Sequence, residues 1–510
     1  MPVGLLEGIC RNQSIQSFEI KENEPEDTTF FHLAPFFDRN QSLTTFTFGC
    51  DHDIGSDQCA RNFAMALVKC KSLKHLCLQG TAIEGNQFSD EAFRDIIVTA
   101  LTFLPQLEEL TFEEYSIEEG GCAALRNALR MGGMGKLRIL NLLCANVDDD
   151  GLLPLVAGMK HCQNLVQLNL YGNNYITVAG LRTLSSFLQS ESCRLESLNL
   201  GGLRMGDKGA RVFAAGLTTS KSLKNLYLPS NAIGDNGITA LVSGITAATS
   251  ENLESLQLSN NRFTIAGIRS LSNLIESERS CLKQLDLGTL DFAREGNEEA
   301  AAVLAKALAN NTSLMHLNLV ARNVQNLGVE AFSKLLCDTS SINNIYSSNH
   351  TIETIGGLDY AHEDIRRYLT LNRYSTKLEP GHRKLLAPIW KILIHYPDLA
   401  DLKPFFKWKL TFLPLVAAWF DRASAFRFFL EESLDQFQRR KLSAMYKFIR
   451  GVPLLVADGY WSQQLKQVHV KKRNFEETEK QLLEILAKKR KLEEEEMQVL
   501  HRLGGKRESG

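Results

Sequence analysis

No Cys-x-x-Cys pair occurs in this sequence, whose eleven cysteines are scattered from Cys10 to Cys337 with none beyond. An odd, dispersed set excludes an extracellular disulfide framework and predicts reduced structural thiols, with Cys77 in a strand and Cys122 at a helix start. Net charge is nearly absent too. Fifty-seven lysines and arginines face 59 aspartates and glutamates, a formal charge of −2, so no electrostatic drive toward nucleic acid or an anionic membrane is expected. Long apolar runs are also lacking. The most apolar segment, LTFLPLVAAWF (410–420), is far short of the roughly 20 residues that span a bilayer. Lys407, Lys409, Asp421 and Arg422 flank it, so it reads as a buried helix. The opening MPVGLLEGICRNQSI has no basic stretch followed by a sustained apolar one, so no secretory signal is expected. An intracellular setting, cytoplasmic or nuclear, follows.

Catalytic signatures are equally scarce. GGMGK (132–136) has Arg130 where a phosphate loop needs its first glycine and Leu137 where it needs Ser or Thr. It also leads into a strand, not a helix whose N-terminus could hold an anion. The eleven histidines show no His-Glu-x-x-His, and no Gly-x-Ser-x-Gly elbow appears. We therefore expect no enzyme, no cofactor and no metal.

What is there is a repeat. The word Leu-x-x-Leu-x-Leu recurs as LESLNL (195–200), LKNLYL (223–228), LESLQL (253–258), LKQLDL (282–287) and LMHLNL (314–319). Extending the frame places repeat starts at Ile15, Leu43, Leu73, Leu107, Leu137, Leu165, Leu195, Leu223, Leu253, Leu282, Leu314 and Ile342. The end copies IQSFEI, LTTFTF and INNIYS are atypical, as outermost repeats that cap an array should be. A glycine follows an apolar anchor by four residues in Ile117–Gly121, Val147–Gly151, Ile176–Gly180, Met205–Gly209, Ile233–Gly237, Phe263–Gly267 and Val324–Gly328. Apolar residues at helical spacing come next, as in Leu181, Leu184 and Leu188. Period 2 followed by period 3.6 means strand, turn, helix, with the glycine allowing close backbone approach at the helix start.

One repeat cannot fold alone. Burying a leucine contributes about 1.5–3 kcal/mol, against an ordering cost of about 1–2 kcal/mol per residue. Stacked repeats share their cores, so the expected fold is an α/β solenoid with strands on the concave side and helices on the convex side. Twelve strands at about 4.8 Å give a strip on the order of 50–60 Å, wide enough for a folded partner.

The repeat resembles the long, helix-containing leucine-rich repeat of ribonuclease inhibitor, Ran GTPase-activating protein and the NOD-like receptors, over about residues 14 to 355. The resemblance implies a horseshoe solenoid followed here by an all-α C-terminal region. FSDEAFRDI (88–96) and AREGNEEAA (293–301) lengthen two repeats, an extension expected on the convex side.

Composition shifts near residue 355. All four tryptophans (Trp390, Trp408, Trp419, Trp461) and five prolines from Pro380 to Pro414 lie beyond it. We read 1–355 as the solenoid and 356–462 as an aromatic-rich helical region that either caps it or docks a second partner. Residues 463–510 read as a charged helical tail. LTLNRYSTK (369–377), LPLVAAWFDRA (413–423) and RKLSAMYKFIRGVPLL (440–455) resemble the tail of a family of uncharacterised diatom leucine-rich repeat proteins, which implies lineage but no activity. In the tail, KKRK (488–491) and EEEE (493–496) can pair along one helix. A solvated single helix and a coiled coil giving weak self-association both stay open.

Outward strand positions carry the candidate site. Alternation sends Leu195, Leu198 and Leu200 inward and Ser197, Asn199 and Gly201 outward. Through the middle of the array the outward residues are Asn141, Asn169, Tyr171, Asn199, Asn225, Tyr227, Gln257, Ser259, Gln284, Asp286 and Asn318, with His75 and His316 in like positions. Amides and tyrosines dominate. Two readings remain: an amide ladder that only stabilises strands, or a neutral surface for a protein or peptide partner, centred on Tyr171, Asn199 and Tyr227. The leading expectation is a non-catalytic interaction scaffold. The Ran-activator resemblance implies GTPase activation as the alternative, although the acidic tail of that family is absent here and fold alone does not carry function.

Overall fold

Leucines spaced Leu-x-x-Leu-x-Leu project to one side of an extended chain and must be covered by the neighbouring copy and by the returning helix. In a computed structural model of the chain they form one twelve-stranded parallel sheet in which each strand pairs with the next in sequence. The structure describes residues 8–9, 11–22, 29–50, 57–80, 94, 100–132, 134–248, 252–288, 298–319, 326–338, 344, 348–356, 358 and 362–373. The readings made for 374–510, and those for most of the two lengthened segments, lie outside these residues.

The first six strands are β1 (Ser17–Glu22), β2 (Thr45–Cys50), β3 (His75–Gln79), β4 (Glu109–Glu113), β5 (Ile139–Leu143) and β6 (Gln167–Asn169). The remainder are β7 (Ser197–Asn199), β8 (Asn225–Tyr227), β9 (Ser255–Gln257), β10 (Gln284–Gly288), β11 (His316–Leu319) and β12 (Thr354–Gly356). The sheet is open, with β1 and β12 as its edges. Between strands run helices α1 (Thr29–Arg39), α2 (Asp57–Leu67), α3 (Glu119–Arg130), α4 (Asp149–Met159), α5 (Val178–Leu188) and α6 (Gly206–Leu217). They continue as α7 (Asp235–Ala248), α8 (Ile265–Glu276), α9 (Glu298–Leu308), α10 (Asn326–Leu336) and, after β12, α11 (Glu363–Arg373). The core lies between sheet and helices. Leu195, Leu198 and Leu200 are buried there beside Leu168, Leu170, Leu226 and Leu228.

The helix-start glycines have a steric cause. The Gly180 amide donates to Asp149 Oδ1 at 2.8 Å, that of Gly237 to Asp207 Oδ1 at 3.0 Å, and that of Gly267 to Asp235 Oδ1 at 2.7 Å. Each aspartate sits in the first turn of the preceding helix, so one repeat caps the next. A Cβ on Gly180, Gly237 or Gly267 would stand 2.4, 2.7 or 2.9 Å from that oxygen. None of the three has a positive φ, so room rather than backbone freedom requires glycine.

The first repeats substitute phenylalanine for leucine. Phe18 meets Phe36 with ring centroids 4.9 Å apart, Phe37 meets Phe46 at 5.1 Å, and Phe30 meets Phe63 at 4.6 Å. These rings fill the core beside β1 and β2.

Two expectations are corrected. The twelfth strand is Thr354–Gly356, paired directly with β11, not the INNIYS word beginning at Ile342. Ile352 and Ile355 are the apolar residues fully buried there, and an asparagine three residues ahead of Ile352 fixes the backbone that leads into the strand. Asn349 Nδ2 donates to the Leu308 and Asn311 carbonyls at 2.8 and 3.0 Å, and its Oδ1 accepts the Thr351 and Ile352 amides. Asn40 and Asn311 do the same for their own repeats, whereas Thr339 holds that place before Ile342. Gly201, expected outward, is buried, because the Tyr171 ring and Pro229 cover it.

Candidate binding face

Parallel pairing in register stacks equivalent residues into rows along the outer face of the sheet. The central row reads Glu19, Thr47, Cys77, Thr111, Asn141, Asn169, Asn199, Tyr227, Gln257, Asp286, Asn318 and Gly356. Asn141, Asn169, Asn199, Tyr227, Gln257, Asp286 and Asn318 thus stand consecutively in one line. Asn225 falls in the adjacent row with Ser197, Ser255, Gln284, His316 and Thr354. Tyr171 lies beyond the end of β6, its ring packed over Gly201. All nine are half-buried or, for Asn318, exposed.

Hydrogen bonds divide these residues into two kinds. Asn169 Oδ1 accepts the Tyr171 amide at 3.0 Å, Asn199 Oδ1 the Gly201 amide at 3.0 Å, and Asp286 Oδ1 the Gly288 amide at 2.8 Å. These oxygens hold the strand exits. Asn169 Nδ2 donates to Asn141 Oδ1 at 2.8 Å, and Asn318 Nδ2 to Asp286 Oδ1 at 3.0 Å, so an amide ladder exists at both ends of the line. Between the ends it breaks. Among the described residues, the side chains of Tyr171, Asn225, Tyr227 and Gln257 have no hydrogen-bond partner.

A shallow depression opens at the β9–β12 end, lined by Gln257, Gln284, Asp286, His316, Asn318 and Thr354. Gly356 leaves the central row without a side chain at its far end. His316 Nδ1 lies 3.0 Å from Thr354 Oγ1. Thr354 is absent from the expected outward residues because it belongs to the twelfth strand, which the repeat spacing places at Ile342.

Charge on the face is mostly internal. Lys74 pairs with Glu108 at 3.0 Å, Lys224 with Glu196 at 2.9 Å and Lys283 with Glu254 at 2.9 Å, along the edge where the chain enters the strands. Half-exposed pairs of this sort contribute about 0–1 kcal/mol each. Lys74's hydrogen bond holds the Glu108 carboxyl below its usual range. In the first strands, His75 meets Glu109 at 3.1 Å and Gln79 donates to Glu113 at 2.9 Å.

Cys77 sits among these carboxylates. Burial, then Glu113, Glu109 and Glu19, pushes its thiol up to about 12. Only about one such thiol in ten thousand is ionised at pH 8, and the thiolate is the reactive form. Iodoacetamide at pH 8 is therefore expected to alkylate the exposed Cys281 while leaving Cys77 unmodified in the native chain, with Cys77 labelling rising only at higher pH. Peptide mapping checks this, and comparable labelling of both at pH 8 would refute it.

The repeat has known counterparts. A family model described as leucine-rich repeat matches residues 161–185 and 219–242. Ribonuclease inhibitor of Sus scrofa is 26% identical over 269 residues, covering 47% of this chain and 57% of that protein. Its Mus musculus counterpart is 31% identical over 181 residues, covering 36% and 39%. The chain carries leucine-rich repeats similar to those of ribonuclease inhibitor. NACHT, LRR and PYD domains-containing protein 14 of Mus musculus shares the repeat at 27% identity over 315 residues, 54% of this chain and 31% of that protein. The chain spans less than two thirds of each of these relatives.

Leucine-rich repeat proteins are in general scaffolds for protein interaction. Among the described residues, no helix is long and apolar enough to cross a membrane, and no group of three or more His, Cys, Asp or Glu could hold a metal ion. These relatives lend no support to the GTPase-activating alternative.

Proposed function

We propose that this protein is a non-catalytic scaffold that holds a protein or peptide partner against the outer face of its parallel sheet, the expected concave side, from Asn141 to Asn318. One observation supports this above the others: Tyr227 and Gln257 stand unpartnered in a row whose flanking asparagines and aspartate already hold their own backbone. A ladder serving only stability would pair these two as well. Tyrosine supplies a large contact area at small entropic cost, and the free amides of Gln257 and Asn225 supply hydrogen bonds beside it. Among the described residues, the cysteines stand outside any disulfide, in keeping with an intracellular setting.

Crosslinking of the full chain in native cells, followed by mass spectrometry, names the partner and maps its footprint together. Against that partner, Tyr227→Ala is expected to weaken binding by about 1 kcal/mol or more, about fivefold. Unchanged affinity in Tyr227→Ala and Gln257→Ala, with crosslinks mapping away from β5–β11, overturns the reading.

A further inference from the structure

We propose that the strand-to-helix turns of the repeats starting at Leu195, Leu223 and Leu253 form a second binding site, a two-arginine cleft that takes an oxyanion on an acidic peptide segment. The cleft is lined by Arg204, Ser230, Ala232, Asn260 and Arg262. Arg204 and Arg262 each precede the apolar anchor of their turn, Met205 and Phe263, and Ala232 holds the equivalent place before Ile233 in the repeat between them. Alternate large, small, large residues at one turn position leave a gap walled by two guanidinium groups. Their backbones stand about two strand spacings apart, roughly 10 Å, so both side chains can reach one group placed over Ala232.

Both arginines are exposed, and among the described residues neither guanidinium has an ion-pair or hydrogen-bond partner. The nearby carboxylates are committed. Asp207 Oδ1 accepts the Gly234 and Gly237 amides at 2.6 and 3.0 Å. Asp235 accepts the Thr264 and Gly267 amides, both at 2.7 Å, and the Thr264 hydroxyl at 2.8 Å. Lysines on the strand-entry edge are already neutralised by glutamates, and Arg269 by Glu299 at 2.9 Å. The positive charge of the cleft is left for a ligand. Arginine's planar fork recognises carboxylate and phosphate alike, and the Ser230 hydroxyl and Asn260 amide add donors to the same space. A peptide carrying closely spaced carboxylates or phosphomonoesters fits this chemistry. The cleft does not depend on the sheet-face reading, since it contains none of its residues.

The test uses the full chain and two fluorescein-labelled peptides, hexaglutamate and a glycine–phosphoserine hexamer, with hexalysine as control, followed by fluorescence anisotropy at low salt. At least one acidic peptide is expected to bind, hexalysine is not, and affinity should fall as salt rises. Arg204→Ala with Arg262→Ala should weaken binding at least tenfold, while single Arg→Lys variants keep part of it. Whether glutamate or phosphoserine binds more tightly distinguishes the two oxyanion sources. Thermal unfolding of each variant controls for folding, and single Arg204→Gln and Arg262→Gln variants give an independent reading. Tyr227→Ala should leave this binding unchanged, which separates the cleft from the sheet face. Failure of both acidic peptides to bind, or equal binding by the double-alanine variant, overturns the proposal.

Discussion

Replacing Asn231 with leucine is expected to lower stability by about 3 kcal/mol or more and to expose the turn of the preceding repeat. Asn231 is fully buried. Its Nδ2 donates to the Leu200 carbonyl at 2.7 Å, and its Oδ1 accepts the Leu203 and Met205 amides at 3.1 and 3.3 Å. Leucine has similar bulk but leaves those three backbone groups without partners, each at about 1–3 kcal/mol. The site has a logic along the array. Ala145 and Leu203 occupy the same turn position in their repeats, and each is followed one repeat later by an asparagine that serves its turn. Asn173 Nδ2 donates to the Leu142 carbonyl at 2.7 Å and its Oδ1 accepts the Val147 amide at 2.8 Å. Asn231 does this for the turn at Leu203, and Asn261 for the turn at Asn231. Urea unfolding followed by circular dichroism measures the loss, and amide exchange at Leu203 and Met205 localises it. A loss below about 1 kcal/mol with both amides still protected would show that these bonds carry no net stability.

How far the fold and site were legible follows from the same geometry. The leucine words locate the strands because period 2 and burial leave no other register, and for that reason seven of the outward residues fall into one row. INNIYS imitates the spacing of the repeat, whereas Ile352 and Ile355 are the residues buried where β12 pairs with β11. Burial of Gly201 was hidden for another reason: the Tyr171 ring that covers it comes from the adjacent repeat. Which side-chain oxygens are free was not legible either. Asn169, Asn199 and Tyr227 share an alternation pattern, yet only the asparagines can turn back to take the amide two residues on. The arginine pair was invisible to a search along strands, since it lies in the turns.

The helices of adjacent repeats meet through glycine, and there the second large effect is expected. Gly244 lies inside α7, where exchanging glycine for alanine in an exposed helix would gain about 1 kcal/mol. Here the sign reverses. A Cβ on Gly244 would stand 2.4 Å from the Ala214 carbonyl oxygen, a backbone atom of α6 that cannot swing aside. Gly216 and Gly158 face the backbones of Ser185 and Arg126 in the same way, at 2.7 and 2.8 Å. Overpacking of this kind costs about 1–3 kcal/mol, and the tightest approach belongs at the upper end. Gly244→Ala is therefore expected to lose about 2 kcal/mol net and Gly244→Val more. Gly135→Ala, whose Cβ meets nothing closer than 3.4 Å, should stay within about 0.5 kcal/mol of the parent. Because a solenoid is held by nearest-neighbour interfaces, forcing α6 and α7 apart should also split unfolding into two phases, one for each side of that interface. A single, unshifted transition for Gly244→Val would mean that the neighbouring helices do not determine the stability of the array.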